Sequence, residues 1–298
     1  MKISIKLPFL YSFSNAVSRI QRGFNDPLNL ILGNSLIRAI QLNEKIFVLN
    51  IFEQDNLINI EVNKGELDEN EQIKLIGLME RYLGLDDPLL LEENFKQINS
   101  VKSLDYSYNV CGYCSLFEAF VQIIIGQLIS VKAANSIKKK FIESFGEVVE
   151  YKAKNYILFP DPNIVKKLPL EALMAVGLSK NKSKAITDLA FEFSQNNLEN
   201  ILFSTTNIQE LKRMIGKFYG IGTWSSQWFL LQGLRYFDSI PSHDLVVRKA
   251  FSWYLDLPQI ASYDAIEQFC SQYNHSGALA YRIMYNYLKE PSDHLPGF

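Results

Sequence analysis

In Lys217-Phe218-Tyr219-Gly220-Ile221-Gly222-Thr223-Trp224, glycines punctuate the junction between two helical patterns. Upstream, Asn207 and Glu210 supply start signals for a helix through Ile215; downstream, Thr223 is placed to cap a helix carrying Trp224, Trp228, Phe229, Leu230 and Leu231. Two helices joined by a tight turn result. Gly220 and Gly222 let the main chain approach a phosphate, while the second helix offers unpaired N–H groups and the positive end of its dipole. An ordinary helix turn fits the same residues, because a lone Gly-x-Gly is a weak signal. Twenty residues beyond Trp224, Ser242-His243-Asp244-Leu245 opens another helix with a carboxylate at or beside its cap.

Outward from this stretch the chain changes class. Lys45–Phe52 (KIFVLNIF) and Leu57–Val62 (LINIEV) are β-branched and aromatic runs around a polar turn, a hairpin, and Ser35–Leu42 (SLIRAIQL) supplies a third strand. The first 60 or so residues therefore read as sheet. Lys64 to Leu85 turns helical, with Ile73, Ile76, Met79 and Leu83 on one face, until Asp86-Asp87-Pro88 breaks it. From about Leu89 the pattern is helical with no convincing strand. Ser115 and Glu118 form a capping-box signature ahead of an apolar helix from Leu116 to Leu128, and Ser130 starts a second that turns Val131, Ala134, Ile137 and Phe141 inward. The fold class is α+β: a small antiparallel α/β domain over residues 1–95, then an all-α domain over residues 96–298. The latter divides into a central subdomain, about 118–237, and a second built from 96–117 and 238–298.

Composition bounds the function. With 298 residues, 48% hydrophobic and 21% charged, the chain fills a core of more than one unit, and disorder is excluded. The longest uncharged run, Phe218 to Leu234, is 17 residues with three glycines, too short and polar for a membrane span. No signal-peptide pattern opens the sequence, so a cytoplasmic protein is expected. Cys111, Cys114 and Cys270 are too few for a disulfide framework, and an odd number fits a reducing compartment. The net charge of -2 hides an uneven distribution: residues 101–250 hold 18 Lys/Arg against 13 Asp/Glu, whereas both flanks are acidic. A polyanion would meet the middle segment, although solvated helix faces account for the same excess.

The glycine turn followed by Asp244 resembles the helix-hairpin-helix (HhH-GPD) DNA glycosylases. Phe117-Glu118 through Val131, Phe159-Pro160-Asp161-Pro162 with Leu168 to Ile186, and Gly220-Ile221-Gly222-Thr223-Trp224 resemble its alkylation-repair branch, the 3-methyladenine DNA glycosylase II group. The resemblance covers residues 105–290 closely and the N-terminal α/β unit more weakly. It implies a partner, double-stranded DNA with a damaged base, and a monomer that extrudes the lesion nucleotide to reach its glycosidic bond. Asp244 is implied as the catalytic carboxylate; read from residues alone it is equally an N-cap. Bifunctional relatives place a Schiff-base lysine at the end of the hairpin, where this sequence has Trp224, so base excision without strand cleavage is implied.

Further positions follow from the same resemblance. Trp224, Trp228 and Tyr281 are the candidate base pocket, with a core role open for Trp224. Gln127, Leu128, Gly220, Gly222, Thr223 and Ser225 are the candidate DNA contacts; Leu128 is the wedge that fills the vacated stack, or else a core leucine. Backbone carbonyls of Gly216, Phe218 and Ile221 would hold a monovalent cation, Na+ or K+. The four clustered cysteines of iron–sulfur relatives are missing, so neither such a cluster nor zinc is expected. Ser276 stands where alkylation-repair relatives carry a stacking Trp, which leaves the preferred lesion open. His243 and Asp244, being neighbours on a helix, do not face each other, and His275 and His294 read as exposed. The activity implied is excision of alkylated bases; another lesion, deaminated or oxidised purine, or a non-catalytic module that holds damaged DNA are the alternatives.

Overall fold

The computed structural model describes residues 1–21, 24–90 and 102–289. Its N-terminal part is a five-stranded antiparallel sheet built from β1 (Lys2–Lys6), β2 (Asn29–Leu32), β3 (Ser35–Leu42), β4 (Lys45–Gln54) and β5 (Leu57–Lys64), in the order β1-β5-β4-β3-β2. The β4–β5 hairpin closes through Asp55 and Asn56, both at positive φ, a two-residue turn whose handedness matches strand twist and which Asp and Asn tolerate. Two helices cover one face: α1 (Phe13–Gln21) and α2 (Glu69–Leu83) bury Phe13, Leu75 and Met79 against Leu36, Phe47 and Ile51. Helix α2 begins at Glu69 and not near Lys64, which belongs to β5. Asp68 and Glu71 form a complete capping box, and Gly84 closes the other end at φ 73°.

The second part is not wholly helical. Between α3 (Leu116–Gly126) with α4 (Val131–Phe145) and the following helices lies a hairpin of β6 (Val148–Tyr151) and β7 (Lys154–Ile157). Val149, Tyr156 and Leu158 pack on Ile37, Ala39 and Val48, the face of the sheet that α1 and α2 leave uncovered. The sequence expectation of no strand after Leu89 is corrected here. The strands have four residues each, and Lys152-Ala153 makes the turn at positive φ without the glycine or asparagine that marks such turns.

Helix α3 is apolar on nearly every side and is therefore the central rod, with Phe117, Phe120 and Ile124 at the middle of the largest core. Around it stand α5 (Pro162–Val165), α6 (Leu170–Ala175), α7 (Lys180–Gln195), α8 (Leu198–Ser204), α9 (Ile208–Ile215) and α10 (Thr223–Trp228), the last continuing into a π-helical turn, Phe229–Gly233. Then come α11 (Leu245–Tyr254), α12 (Tyr263–Cys270) and α13 (Ser276–Lys289). Ser115 caps α3 as expected, but Glu118 does not close the box: it pairs with Arg38 of β3 at 2.7 Å, both side chains buried. Val131, expected inward, is 67% exposed, because it is the first residue of α4 and its side chain lies outside the packed face. No described helix is long and apolar enough to cross a membrane.

Candidate active site

Asp244 caps α11. One oxygen, Oδ1, accepts the N–H groups of Val246 at 2.8 Å and Val247 at 3.2 Å. The other, Oδ2, accepts the indole N–H of Trp224 at 2.8 Å and of Trp228 at 3.1 Å. A carboxylate has about four lone-pair sites, so four N–H donors occupy all of them. Its position is thereby fixed from two elements, its own helix and the one after the hairpin. The arrangement suits a stationary negative charge better than proton abstraction, since no lone pair is left idle.

The cleft beside this carboxylate has a volume of about 410 Å³. Trp224, Trp228 and Tyr281, the residues the sequence offered as base pocket, all line it. Trp228 meets Tyr281 edge-to-face at 6.2 Å, and Tyr281 meets Tyr285 at 4.7 Å, so an aromatic wall leads away from Asp244. Burial pushes the Tyr281 phenol well above its usual range, leaving it a neutral hydroxyl. The two indoles hold the carboxylate, a contact that sequence reading missed. Ser276 is buried at the start of α13 and does not line the cleft.

Around the mouth, the turn after α3 carries Leu128 with φ 55° and its side chain fully exposed, which removes the core alternative for this residue. A leucine in left-handed conformation pointing into solvent is costly in backbone and in apolar hydration, and nothing in the packing requires it. The turn itself is braced. Lys182 donates to the carbonyls of Ile125 at 2.9 Å and Gln127 at 2.7 Å, and its burial lowers its pKa. Gln127, expected as a DNA contact, donates its amide to the Gly220 carbonyl at 2.9 Å and to Ser225 Oγ at 2.7 Å. Ser225 is itself 2% exposed and Gln127 is half-buried; the pair ties the Leu128 turn to the hairpin.

In the hairpin, Gly220 has φ 77°, and a Cβ there would also press on Ala185. Gly222 differs: its φ of -99° suits any residue, and a Cβ would meet nothing within 4 Å. It is Gly222, and not Thr223, that occupies the N-cap of α10, and no side chain caps this end. The Phe218 carbonyl accepts the Ile221 N–H at 3.1 Å, so one of the three proposed cation ligands has a lone pair engaged. Among the described residues no group of three His, Cys, Asp or Glu side chains is placed to hold a metal. His243 stacks on Tyr263 at 4.3 Å, outside the Asp244 constellation; His275 is half-buried, and His294 lies outside the described residues.

Sequence reading also missed what the N-terminal part contributes. Asn15, Ser18 and Arg19 of α1 line the cleft with Tyr108 and Tyr285. The spacing of Phe13, Ala16, Val17 and Ile20 would have found that helix, but no local signal tells that Arg19 turns inward.

The chain is 22% identical over 250 residues to a DNA-3-methyladenine glycosylase of Bacillus subtilis, covering 82% of each chain. It is 32% identical over 149 residues to a DNA-3-methyladenine glycosylase of Saccharomyces cerevisiae, 48% of each. The solved 3-methyladenine DNA glycosylase of Archaeoglobus fulgidus superposes with a TM-score of 0.82 at 23% identity, covering 97% of this chain and all of that one, which shows a shared fold. Residues 121–274, more than half the sequence and spanning the Leu128 turn, hairpin and Asp244, match the family described as HhH-GPD superfamily base excision DNA repair protein, and the chain belongs to that family.

Proposed function

We propose that the protein hydrolyses the bond joining an alkylated base, of the 3-methyladenine type, to its sugar in double-stranded DNA, acting as a monomer and leaving the backbone intact. One observation carries the reading: a carboxylate pinned by four N–H donors at the edge of an aromatic-walled cleft. Bases alkylated at a purine ring nitrogen carry positive charge and leave readily. What remains is to stabilise the oxocarbenium-like sugar, which a fixed carboxylate does by charge, and to admit water. Electron-rich walls suit a cationic base. The relatives named above for 3-methyladenine support the substrate class. Release of the methylated base from treated duplex DNA, followed by chromatography, tests it directly; no free methylated base after exhaustive incubation would refute it.

In this reading the open space at Gly222 and the uncapped start of α10 receive a DNA phosphate. The carbonyls of Gly216, Phe218 and Ile221 are uncharged oxygen donors, a set that fits a monovalent cation and not a transition metal. Such an ion would supply positive charge near the phosphate.

Leu128 is the wedge. Leu128→Ala should leave stability within about 0.5 kcal/mol, as for an exposed site. Binding to lesion duplex and excision should both weaken, because the filling of the vacated stack is lost. Unfolding curves and single-turnover rates on the same preparation check this; a large stability loss with normal excision would contradict it.

The absence of strand cleavage follows from Trp224, an indole with no amine, at the hairpin end. Borohydride added during turnover is expected to trap no protein–DNA adduct. Lys138 lines the cleft and Lys217 sits exposed in the hairpin, so a trapped adduct mapped to either would overturn the monofunctional reading.

A further inference from the structure

Lys182 belongs to α7, yet its ammonium is turned to the end of a different helix, α3. Its surroundings disfavour a cation on three counts. It is the third residue of α7, in the first turn, where the helix dipole is positive. It is half-buried, and that burial lowers its pKa. Among the described residues no carboxylate lies within ion-pair distance of it, whereas Lys184, two positions on, pairs with Asp188 at 2.6 Å. The acceptors that hold it are uncharged, the carbonyls of Ile125 at 2.9 Å and Gln127 at 2.7 Å.

Those carbonyls belong to the last turn of α3 and the residue just beyond it, and the next residue is Leu128 at φ 55°. A helix end with unpaired carbonyls commonly closes on a left-handed glycine, which carries no steric penalty. Here Gly126 lies within the helix, and the left-handed position falls to a residue with a branched side chain. Water at the surface satisfies free carbonyls as well as an ammonium does, so their pairing alone does not require a lysine. An ammonium anchored in a neighbouring helix does something water does not, which is to fix the direction of the turn. The Gln127 amide ties the same turn to the hairpin, so the segment that presents Leu128 is held from two sides.

We propose that Lys182 is the positioning residue of the Leu128 wedge, holding the turn in its inserting conformation before DNA arrives. The inference rests on the wedge reading of Leu128. A turn preset in this way does not have to acquire a left-handed leucine during nucleotide extrusion, which lowers the ordering cost of binding. Lys182 does not line the cleft that holds Asp244, so its effect on excision passes through Leu128 and not through the base.

A double-mutant cycle tests this path. Wild type, Leu128→Ala, Lys182→Met and the double variant are compared in single-turnover excision, at limiting protein, from a duplex with one 7-methyl-2′-deoxyguanosine. Lys182→Met should slow excision at least tenfold when Leu128 is present and at most twofold when it is alanine, since a wedge already removed cannot be misplaced. Equal factors in the two backgrounds would overturn the proposal, and Lys182 would then be a helix brace or a phosphate contact acting independently of Leu128. Normal excision by Lys182→Met beside an impaired Leu128→Ala would overturn it too, with the wedge reading left standing. Normal excision by Leu128→Ala would refute the wedge reading and this proposal with it. Lys182→Arg, which keeps a cation with donors for both carbonyls, should excise within threefold of wild type; a loss equal to that of Lys182→Met would overturn the brace. If Lys182→Met does not fold, Lys182→Gln takes its place in the cycle under the same criteria.

Discussion

Asp244→Asn is expected to slow base release by about 10²–10³-fold in single turnover, the usual loss when a fixed electrostatic stabiliser is removed from a reacting site. Sequence alone makes this a clean substitution, because Asn caps a helix as well as Asp. The geometry changes that expectation. If the Asn oxygen keeps the bonds to Val246 and Val247, its amide N–H groups face the indole N–H groups of Trp224 and Trp228. Donors then oppose donors, which costs about 1–3 kcal/mol of stability for the groups left unsatisfied. The rate effect must therefore be separated from the stability effect. Adding Trp228→Phe to Asp244→Asn removes one opposing donor and should recover part of the stability without recovering the rate. DNA binding by the Asn variant should hold or tighten, since a negative charge facing phosphates is gone. Near-normal excision by a folded Asn variant would reduce Asp244 to a helix cap.

The hairpin and its carboxylate were legible in sequence because both depend on local chemistry: glycines at the turn, an Asx cap, and a fixed chain distance between them. Asn207 does cap α9, accepting the N–H groups of Gln209 and Glu210, and the β4–β5 hairpin and third strand are as read. What was not legible is mostly long-range. Glu118 looked like half of a capping box and is the partner of Arg38, 80 residues away. Gln127, read from sequence only as a candidate DNA contact, is also a strut to the hairpin. The β6–β7 hairpin was hidden for a different reason. Its strands are short and its turn lacks a glycine, so only the uncovered face of a distant sheet accounts for it. Leu128 falls between these cases. The Gly-Gln-Leu order suggested a wedge, yet only the fold shows that the side chain is fully exposed.

Asp86-Asp87, which sequence marks only as the end of a helix, is the site of the largest expected stability effect. Arg235 forks onto Asp86 at 2.6 and 2.9 Å, and Arg282 of α13 donates to Asp87 at 2.9 Å with both side chains wholly buried. Asp87 also accepts the N–H groups of Leu89 at 3.0 Å and Val110 at 2.7 Å, while Arg282 donates to the Tyr106 carbonyl at 3.1 Å. These bonds join the chain after α2 to the helix that carries Tyr281 and Tyr285, so they set where the aromatic wall stands relative to α1. Arg282→Met leaves Asp87 as a buried charge with two N–H donors and without its ion-pair partner, and should destabilise the fold by about 3–5 kcal/mol. Asp87→Leu should do the same from the other side. The double variant should be less destabilised than the two single losses added together, because neither charge is then left alone in the interior. Urea unfolding of the four proteins measures the coupling. Single losses that simply add, each below about 1 kcal/mol, would make this contact no different from a surface ion pair, and the placement of α13 would then have to rest on its apolar packing alone.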